Sequence, residues 1–188
     1  MRRRIMPANS EKASGRIEVA AATRDQVSTM ANLLELYAHD FSEFHHLELG
    51  ANGRFGYPRL ASYWSEPNHH PFLLKVDAEL AGLVLVRKGL DGTDVWDMAE
   101  FFIVRGYRRR GIGMKVAHEV WRRLPGPWAV RVMESNGTAL RFWERAIATF
   151  CGEGIGPVRV EKDGEFWQIF AFECRGASIC NNLRSGAL

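Results

Sequence analysis

Read for polarity alone, the chain breaks into segments of period two, segments of period near 3.6 and polar joints. "RIEVAAA" (16–22) alternates as a strand does. "TRDQVSTMANLLELYAHDF" (23–41) then repeats Val27, Met30, Leu33, Leu34 and Tyr37 at helical spacing behind Thr23, a candidate N-cap. "FLLKVDAELAGLVLVRKG" (72–89) predicts two strands about a tight turn at Asp77-Ala78-Glu79, and "DVWDMAEFFIV" (94–104) predicts another. A helix over about Gly111–Arg123 follows, with Ile112, Val116, Ala117, Val120 and Trp121 on one side and Lys115, His118 and Arg122 on the other. "PWAVRVM" is the next strand and "NGTALRFWERAIATF" the next helix. "GPVRV" and "FWQIFAFE" close the pattern as a hairpin about Asp163-Gly164, with "GEGIGP" before it as a loop. Early antiparallel strands followed by strand–helix alternation predict an α/β (α+β) class: one domain with a mixed, mostly antiparallel twisted sheet of about six to seven strands and helices on both faces.

The pattern is absent at both ends. Residues 1–15 are expected to be a disordered basic N-terminal tail, 16–173 the domain and 174–188 a C-terminal tail. The net charge of +3 sits in that first stretch: Arg2, Arg3, Arg4 and Lys12 against Glu11 make 4 − 1 = +3, so the rest is neutral. A basic isoelectric point therefore does not signal a nucleic-acid-binding face. Cys151, Cys174 and Cys180 are an odd count with no metal or disulfide spacing, which fits a reducing compartment. No leader-like apolar core and no run of about 18 apolar residues appears, so a cytoplasmic protein is expected, with no membrane partner. Whether two copies pair as a homodimer is left open.

The densest chemistry is "VRGYRRRGIGMKV" (104–116), four arginines and three glycines between a strand and a helix. A helix start exposes unpaired N–H groups and the positive end of the dipole, and glycine lets an anion approach them. The N–H groups of Arg109 to Met114, with Arg108, Arg109 and Arg110 supplying charge, could hold a pyrophosphate. A Walker loop would need Gly-Lys-Ser/Thr, and a dinucleotide fingerprint would need glycine where Val116 stands. The plain alternative is a solvated basic turn before a glycine-capped helix.

Strand, then Arg108-x-x-Gly111-x-Gly113 opening a helix, resembles the acetyl-CoA signature of the GNAT acyltransferase superfamily. Downstream, Asn136-x-x-Ala139-x-x-Phe142-Trp143 resembles that family's Asn-x-x-Ala-x-x-Phe-Tyr segment. The resemblance covers about residues 16–173 and implies an acetyl-CoA-dependent N-acetyltransferase with the GNAT fold and no metal. It implies that the pantetheine arm pairs with main chain at Phe101, Phe102 and Ile103. The pyrophosphate would lie on Arg108, Arg109, Arg110, Gly111, Ile112, Gly113 and Met114, with Asn136 and Trp143 beside the arm. Asn136 also reads as a helix N-cap. Trp143 departs from the family: many relatives have a tyrosine there, thought to protonate the departing thiolate, and an indole N–H is too weak an acid for that.

Amine attack on a thioester needs a base, because a primary amine is almost wholly protonated at neutral pH, a cost of about 4 kcal/mol. Glu100 is the candidate, a lone carboxylate among apolar neighbours before Phe101; the plain alternative is a rim carboxylate. Asp97, three residues earlier, is expected on the opposite face of the strand. In this superfamily the segment after the first helix usually builds the acceptor wall. Here Glu35, Asp40, Glu43 and Glu48 occur without a Lys or Arg, which suits a small cationic amine, with Tyr63, Tyr57 and Trp64 as further pocket candidates. His45-His46 and His69-His70 read as polar surface that could assist as bases. Two other functions remain open at this level: an acyl-CoA-binding sensor without turnover, and a basic RNA-contacting module.

Overall fold

A computed structural model describes residues 15–89, 92–175 and the backbone of 179–182. The expected N-terminal tail thus lies outside the described residues apart from Gly15, as do residues 176–178 and 183–188 and the side chain of Cys180. The strands are β1 (Ile17–Ala21), β2 (His69–Val76), β3 (Glu79–Lys88), β4 (Trp96–Ile103), β5 (Gly126–Met133), β6 (Val158–Lys162), β7 (Glu165–Arg175) and β8 (Ile179–Asn182). They form a single sheet in the order β1-β2-β3-β4-β5-β7-β6, with β8 also on β7. Every pairing is antiparallel except β4 with β5. The class and the mixed, mostly antiparallel sheet are as expected. β8 is an addition, because "ICNN" is too short and too polar to read as a strand; it exists by pairing with the end of β7.

The helices α1 (Val27–Phe41), α2 (Ile112–Arg123) and α3 (Gly137–Cys151) divide between the two faces. Val84, Val86 and Met98 pack on one face with Val116, Val120 and Trp121 of α2 and Trp143 and Ile147 of α3. Leu73, Leu83, Leu85 and Phe102 pack on the other with Met30, Leu33 and Leu34 of α1 and with a short 3-10 helix at Leu60–Trp64. Burial on both faces explains why β3 is apolar throughout "AGLVLV" rather than alternating. The β2–β3 turn places Asp77 and Ala78 at φ of 52° and 66°, and the β6–β7 turn places Asp163 and Gly164 at 55° and 77°, the left-handed pair that twisted two-residue hairpins require.

β4 departs from regular geometry in two places that matter. Leu85 faces Glu100 but Val86 faces Met98, so Ala99 is the extra residue of a β-bulge. The bulge resets the alternation. Arg87 faces Asp97, so Asp97 and Glu100 stand on the same face as Leu85 and Arg87, the α1 face. The expectation that they point to opposite faces assumed an unbroken strand and is corrected. In addition, β4 and β5 pair only at Trp96 with Trp128 and Asp97 with Ala129, and beyond that they separate.

β3 and β4 approach closely at the far end of β4. A Cβ on Gly82 would stand 2.0 Å from the carbonyl oxygen of Phe102, a backbone atom with no room to retreat. Gly82→Ala should therefore cost about 2–3 kcal/mol, as overpacking does. In a chain of this size that lowers the melting temperature by roughly 4–10 °C. An unchanged thermal melt would refute this account of the β3–β4 contact.

Candidate active site

The opening between β4 and β5 has a different chemistry on each side of the sheet. On the α2 and α3 side, the turn after β4 runs through a 3-10 segment at Arg105–Tyr107 into α2. Arg109 takes φ of 60° and Gly111, the N-cap of α2, takes 73°. A non-glycine residue in the left-handed region costs about 1–2 kcal/mol, so the turn holds its N–H groups in a conformation that the chain does not adopt freely. Nothing lies within 4 Å of a Cβ built on Gly111, which leaves the space in front of that N-cap open. Gly113 serves a different purpose: a Cβ there would meet the Phe142 ring at 3.2 Å. Its lack of a side chain lets α3 come close to α2.

The three arginines of the signature are not equivalent. Arg108 Nε donates to the Ile103 carbonyl at 2.6 Å, its Nη2 pairs with Asp40, and its guanidinium stacks 5.5 Å from the Phe102 ring. Arg110 lies over the Tyr107 ring at 5.7 Å. Arg109 is exposed beside the open turn. Ile112 is buried and Met114 packs against the core, so each presents main chain to the turn. Phe101 packs against Phe142 and Trp143, with ring centroids at 5.7 and 4.9 Å. Trp143 also meets Trp121 and is buried as a packing residue. Asn136 caps α3: its Oδ1 accepts from the Ala139 N–H at 2.9 Å, as the helix-cap reading expected.

On the α1 side the bulge delivers Glu100. The Tyr57 hydroxyl donates to Glu100 Oε1 at 2.9 Å, and the Tyr37 hydroxyl of α1 stands beside the same carboxylate. Burial pushes the Glu100 carboxyl above the usual range, against the hydrogen bonds from Tyr37 and Tyr57 and the charge of Arg87, all of which favour the ionised form. Burial, and then the Glu100 charge, push both phenols upward, so they are neutral donors at any physiological pH. The loop carrying Tyr57 is fixed by Glu35, whose two oxygens accept from the Phe55 and Gly56 N–H groups at 2.9 Å each. Further along this face, Asp97 is only 2% exposed and receives Arg87 Nε at 3.0 Å together with Arg131 Nη1. Tyr63 is buried, edge-on to His69 at 4.9 Å, with its hydroxyl near that of Tyr57.

Several candidates stand elsewhere or are already engaged. Burial pushes the Asp40 carboxyl up, but hydrogen bonds from Arg105 and Arg108 outweigh it and hold it below the usual aspartate range. Glu43, His46 and Glu48 are exposed, His45 contacts Glu165 at 3.3 Å, and Trp64 Nε1 donates to the Ala22 carbonyl at 2.8 Å. His69 and His70 are half-buried rather than surface groups, and His70 packs edge-on to Trp96 at 5.3 Å. Sequence reasoning missed the tyrosine pair on Glu100 and the arginines on Asp97. Arg131, an arginine amid "WAVRVM", was the visible signal. Two shallow depressions, of about 460 Å³ beside Arg16 and Lys115 and about 630 Å³ beside Arg141 and Arg145, both lie away from this opening. Among the described residues no His/Cys/Asp/Glu group could hold a metal, and no helix is long and apolar enough to cross a membrane.

Residues 30–147, more than half of the chain, match the acetyltransferase (GNAT) family. No curated protein matches. Among solved structures, an acetyltransferase from Thermus thermophilus is similar, at 17% identity over 82% of this chain and 95% of its own, with a TM-score of 0.59. Arabidopsis thaliana NAA60, solved with a bisubstrate analogue, is 14% identical over 86% and 100%, with a TM-score of 0.58. The ribosomal-protein-S18-alanine N-acetyltransferase of Escherichia coli is 14% identical over 87% and 97%, with a TM-score of 0.54. At these identities the likeness is one of fold.

The arginine geometry predicts a separation of roles. Arg108→Ala should lose a charge-assisted bond that closes the end of β4, about 1–2 kcal/mol, and lower the melting temperature by roughly 2–8 °C. Arg109→Ala should leave the melting temperature unchanged while weakening acetyl-CoA in calorimetry. The reverse assignment of effects would show that the two arginines have been exchanged in role.

Proposed function

Since the chain belongs to the acetyltransferase (GNAT) family, whose members transfer an acetyl group from acetyl-CoA, we propose that it is an N-acetyltransferase acting on a primary amine by direct attack, with Glu100 as general base. The observation that carries this reading is the placement of Glu100 on the bulge, where β4 leaves β5, its carboxyl raised by burial and held by the Tyr57 hydroxyl. A base for an ammonium works best when its own pKa approaches the working pH, and burial moves this carboxyl that way.

The residues divide the work. The N–H groups from Arg109 to Met114 would hold the pyrophosphate, with Arg109 and Arg110 adding charge, and main chain of Phe101 to Ile103 would pair with the pantetheine arm. Arg108 supports that turn rather than the ligand, since its guanidinium is engaged by Ile103 and Asp40. Acetyl-CoA supplies the activated acyl group. Glu100 takes a proton from the acceptor ammonium; the freed nitrogen forms a bond to the thioester carbon, the C–S bond breaks with its electron pair on sulfur, the nitrogen gives up its second proton to solvent as the neutral amide forms, and the thiolate takes a proton from solvent. Trp143 contributes packing and no proton, and a thiolate is a tolerable leaving group without an acid.

The acceptor's charge has to be read from the same face. Of the acidic residues that suggested a cation, Glu35 is engaged by two backbone N–H groups and Asp40 by two arginines, while Glu43 and Glu48 are exposed.

Glu100→Gln should lower kcat, followed as CoA thiol release across an amine panel, by roughly 10²–10⁴-fold. Because Glu100 must be ionised to act, activity should fall as pH drops through its folded pKa, which lies above that of an ordinary glutamate. Tyr57 stabilises the ionised form, so Tyr57→Phe should move the acidic limb of kcat/KM to higher pH. Trp143→Phe should keep most of the turnover. A Glu100→Gln protein with normal kcat and an unmoved acidic limb would place the base elsewhere.

A further inference from the structure

At the floor of the α1 face two guanidinium groups share one bonded carboxylate. Asp97 is almost fully buried and accepts from both Arg87 and Arg131, so one carboxylate answers two guanidinium groups. Both arginines project from strands whose neighbouring positions are apolar, Arg87 after "LVLV" and Arg131 within "WAVRVM". Each side chain remains about a quarter exposed, 25% for Arg87 and 26% for Arg131, so each still presents donors to the space above the sheet. Taking a guanidinium out of water is costly unless an anion accompanies it; Asp97 is the one carboxylate bonded to these two, while Glu100, whose charge Arg87 also favours, is hydrogen-bonded by phenols.

Two further polar atoms on the same face lack partners. The buried Tyr63 hydroxyl makes no hydrogen bond of ordinary geometry although it lies near Tyr57, and buried His69 Nδ1, 3.5 Å from Glu66 Oε2, makes none either. His69 faces Arg87 across β2 and β3, and Arg87 faces Asp97 across β3 and β4. Buried polar groups in native proteins are normally satisfied, so a cluster of unsatisfied ones beside two partly exposed guanidinium groups marks a place where a polar ligand completes the set.

Glu100 stands two positions along β3 from this cluster, opposite Leu85 where Asp97 is opposite Arg87. Two residues of strand span about 7 Å. That is the distance bridged by an amine and a carboxylate joined through a few carbons, with a hydrogen bond at each end.

Resting on the reading that this face receives the acceptor, we propose that the acceptor is a small amino acid: its amine faces Glu100 and its carboxylate is held by Arg87 and Arg131, with Tyr63 and His69 completing the pocket. The arginines are specificity residues, and a polyamine would bring its second cation against two guanidinium groups.

The test is a calorimetric titration of the CoA-saturated protein with product probes: N-acetylglycine and N-acetyl-β-alanine, their primary amides, and N-acetylputrescine. The expected result is that at least one of the two acids binds roughly 10-fold or more tightly than its amide and than N-acetylputrescine, as a charge-assisted pair predicts. Arg131→Gln should remove that preference while leaving CoA affinity and amide binding unchanged. If Arg131→Gln does not fold, the ranking of probes on the wild-type protein still decides. Equal or tighter binding of the amides or of N-acetylputrescine, or no binding of any probe to a protein that holds CoA, would overturn the amino-acid assignment alone. Failure of the wild-type protein to bind CoA would overturn the acetyltransferase site reading on which it rests, and the assignment with it.

Discussion

A parallel pair of strands that hydrogen-bonds at its start and then parts leaves main-chain donors and acceptors facing a gap, and the organisation of this molecule follows from that one defect. β4 is fully paired with β3 but meets β5 only at Trp96 and Asp97. Its inner edge must find other partners, because an unpaired buried backbone group costs about as much as a lost hydrogen bond. At the far end the protein supplies one itself: Arg108 reaches back to the Ile103 carbonyl and is braced by Asp40 of α1. Between Asp97 and Ile103 a strand-like ligand would satisfy the edge, and the amides of a pantetheine arm have that form. The splay, the bulge at Ala99 and the glycine–arginine turn are thus parts of one arrangement, in which the sheet is opened and its opened edge is re-used.

The bulge also decides the electrostatics. Without the extra residue at Ala99, Glu100 and Asp97 would lie on opposite faces. With it, two carboxylates share the α1 face and are treated differently. Asp97 is given two guanidinium groups and holds both arginines against the sheet. Glu100 is given two phenols, which favour its ionised form less than a cation would, so burial prevails and the carboxyl is raised. One acid thus lies among charges and its neighbour among neutral donors, so a single face holds two carboxylates in different surroundings.

Much of this was legible in the chain. Period and turn chemistry placed α1, α2, α3 and seven of the described strands, and Asp163-Gly164 announced its hairpin. The Arg108-x-x-Gly111-x-Gly113 turn located the start of α2, where Gly111 indeed needs a left-handed φ. What could not be read was whatever depends on register. A single added residue in β4 has no signature in composition, and it overturned the face expected for Asp97. Tyr57 comes to Glu100 only because Glu35 fixes a loop twenty residues away from it in sequence, an interaction between a helix side chain and backbone N–H groups that no pattern encodes. Likewise no pattern showed which of the acidic residues around the end of α1 are engaged: Glu35 holds two backbone N–H groups and Asp40 two arginines, whereas Glu43 and Glu48 are exposed.

The arginine-rich turn shows how far a motif can be taken. Four arginines in nine residues read as one electrostatic feature, yet their surroundings differ: Arg105 and Arg108 answer Asp40, Arg110 lies on Tyr107, and Arg109 stands exposed at the left-handed step. Charge count therefore overstates what the turn offers an anion. The backbone does more, since N–H groups ordered at a helix start are fixed dipoles that need no ordering of long side chains when a ligand arrives. On that view the glycines carry the more demanding constraint. Gly111 supplies a conformation, and Gly113 supplies the room that Phe142 fills, so the same signature secures both the open turn and the packing of α2 on α3 beneath it.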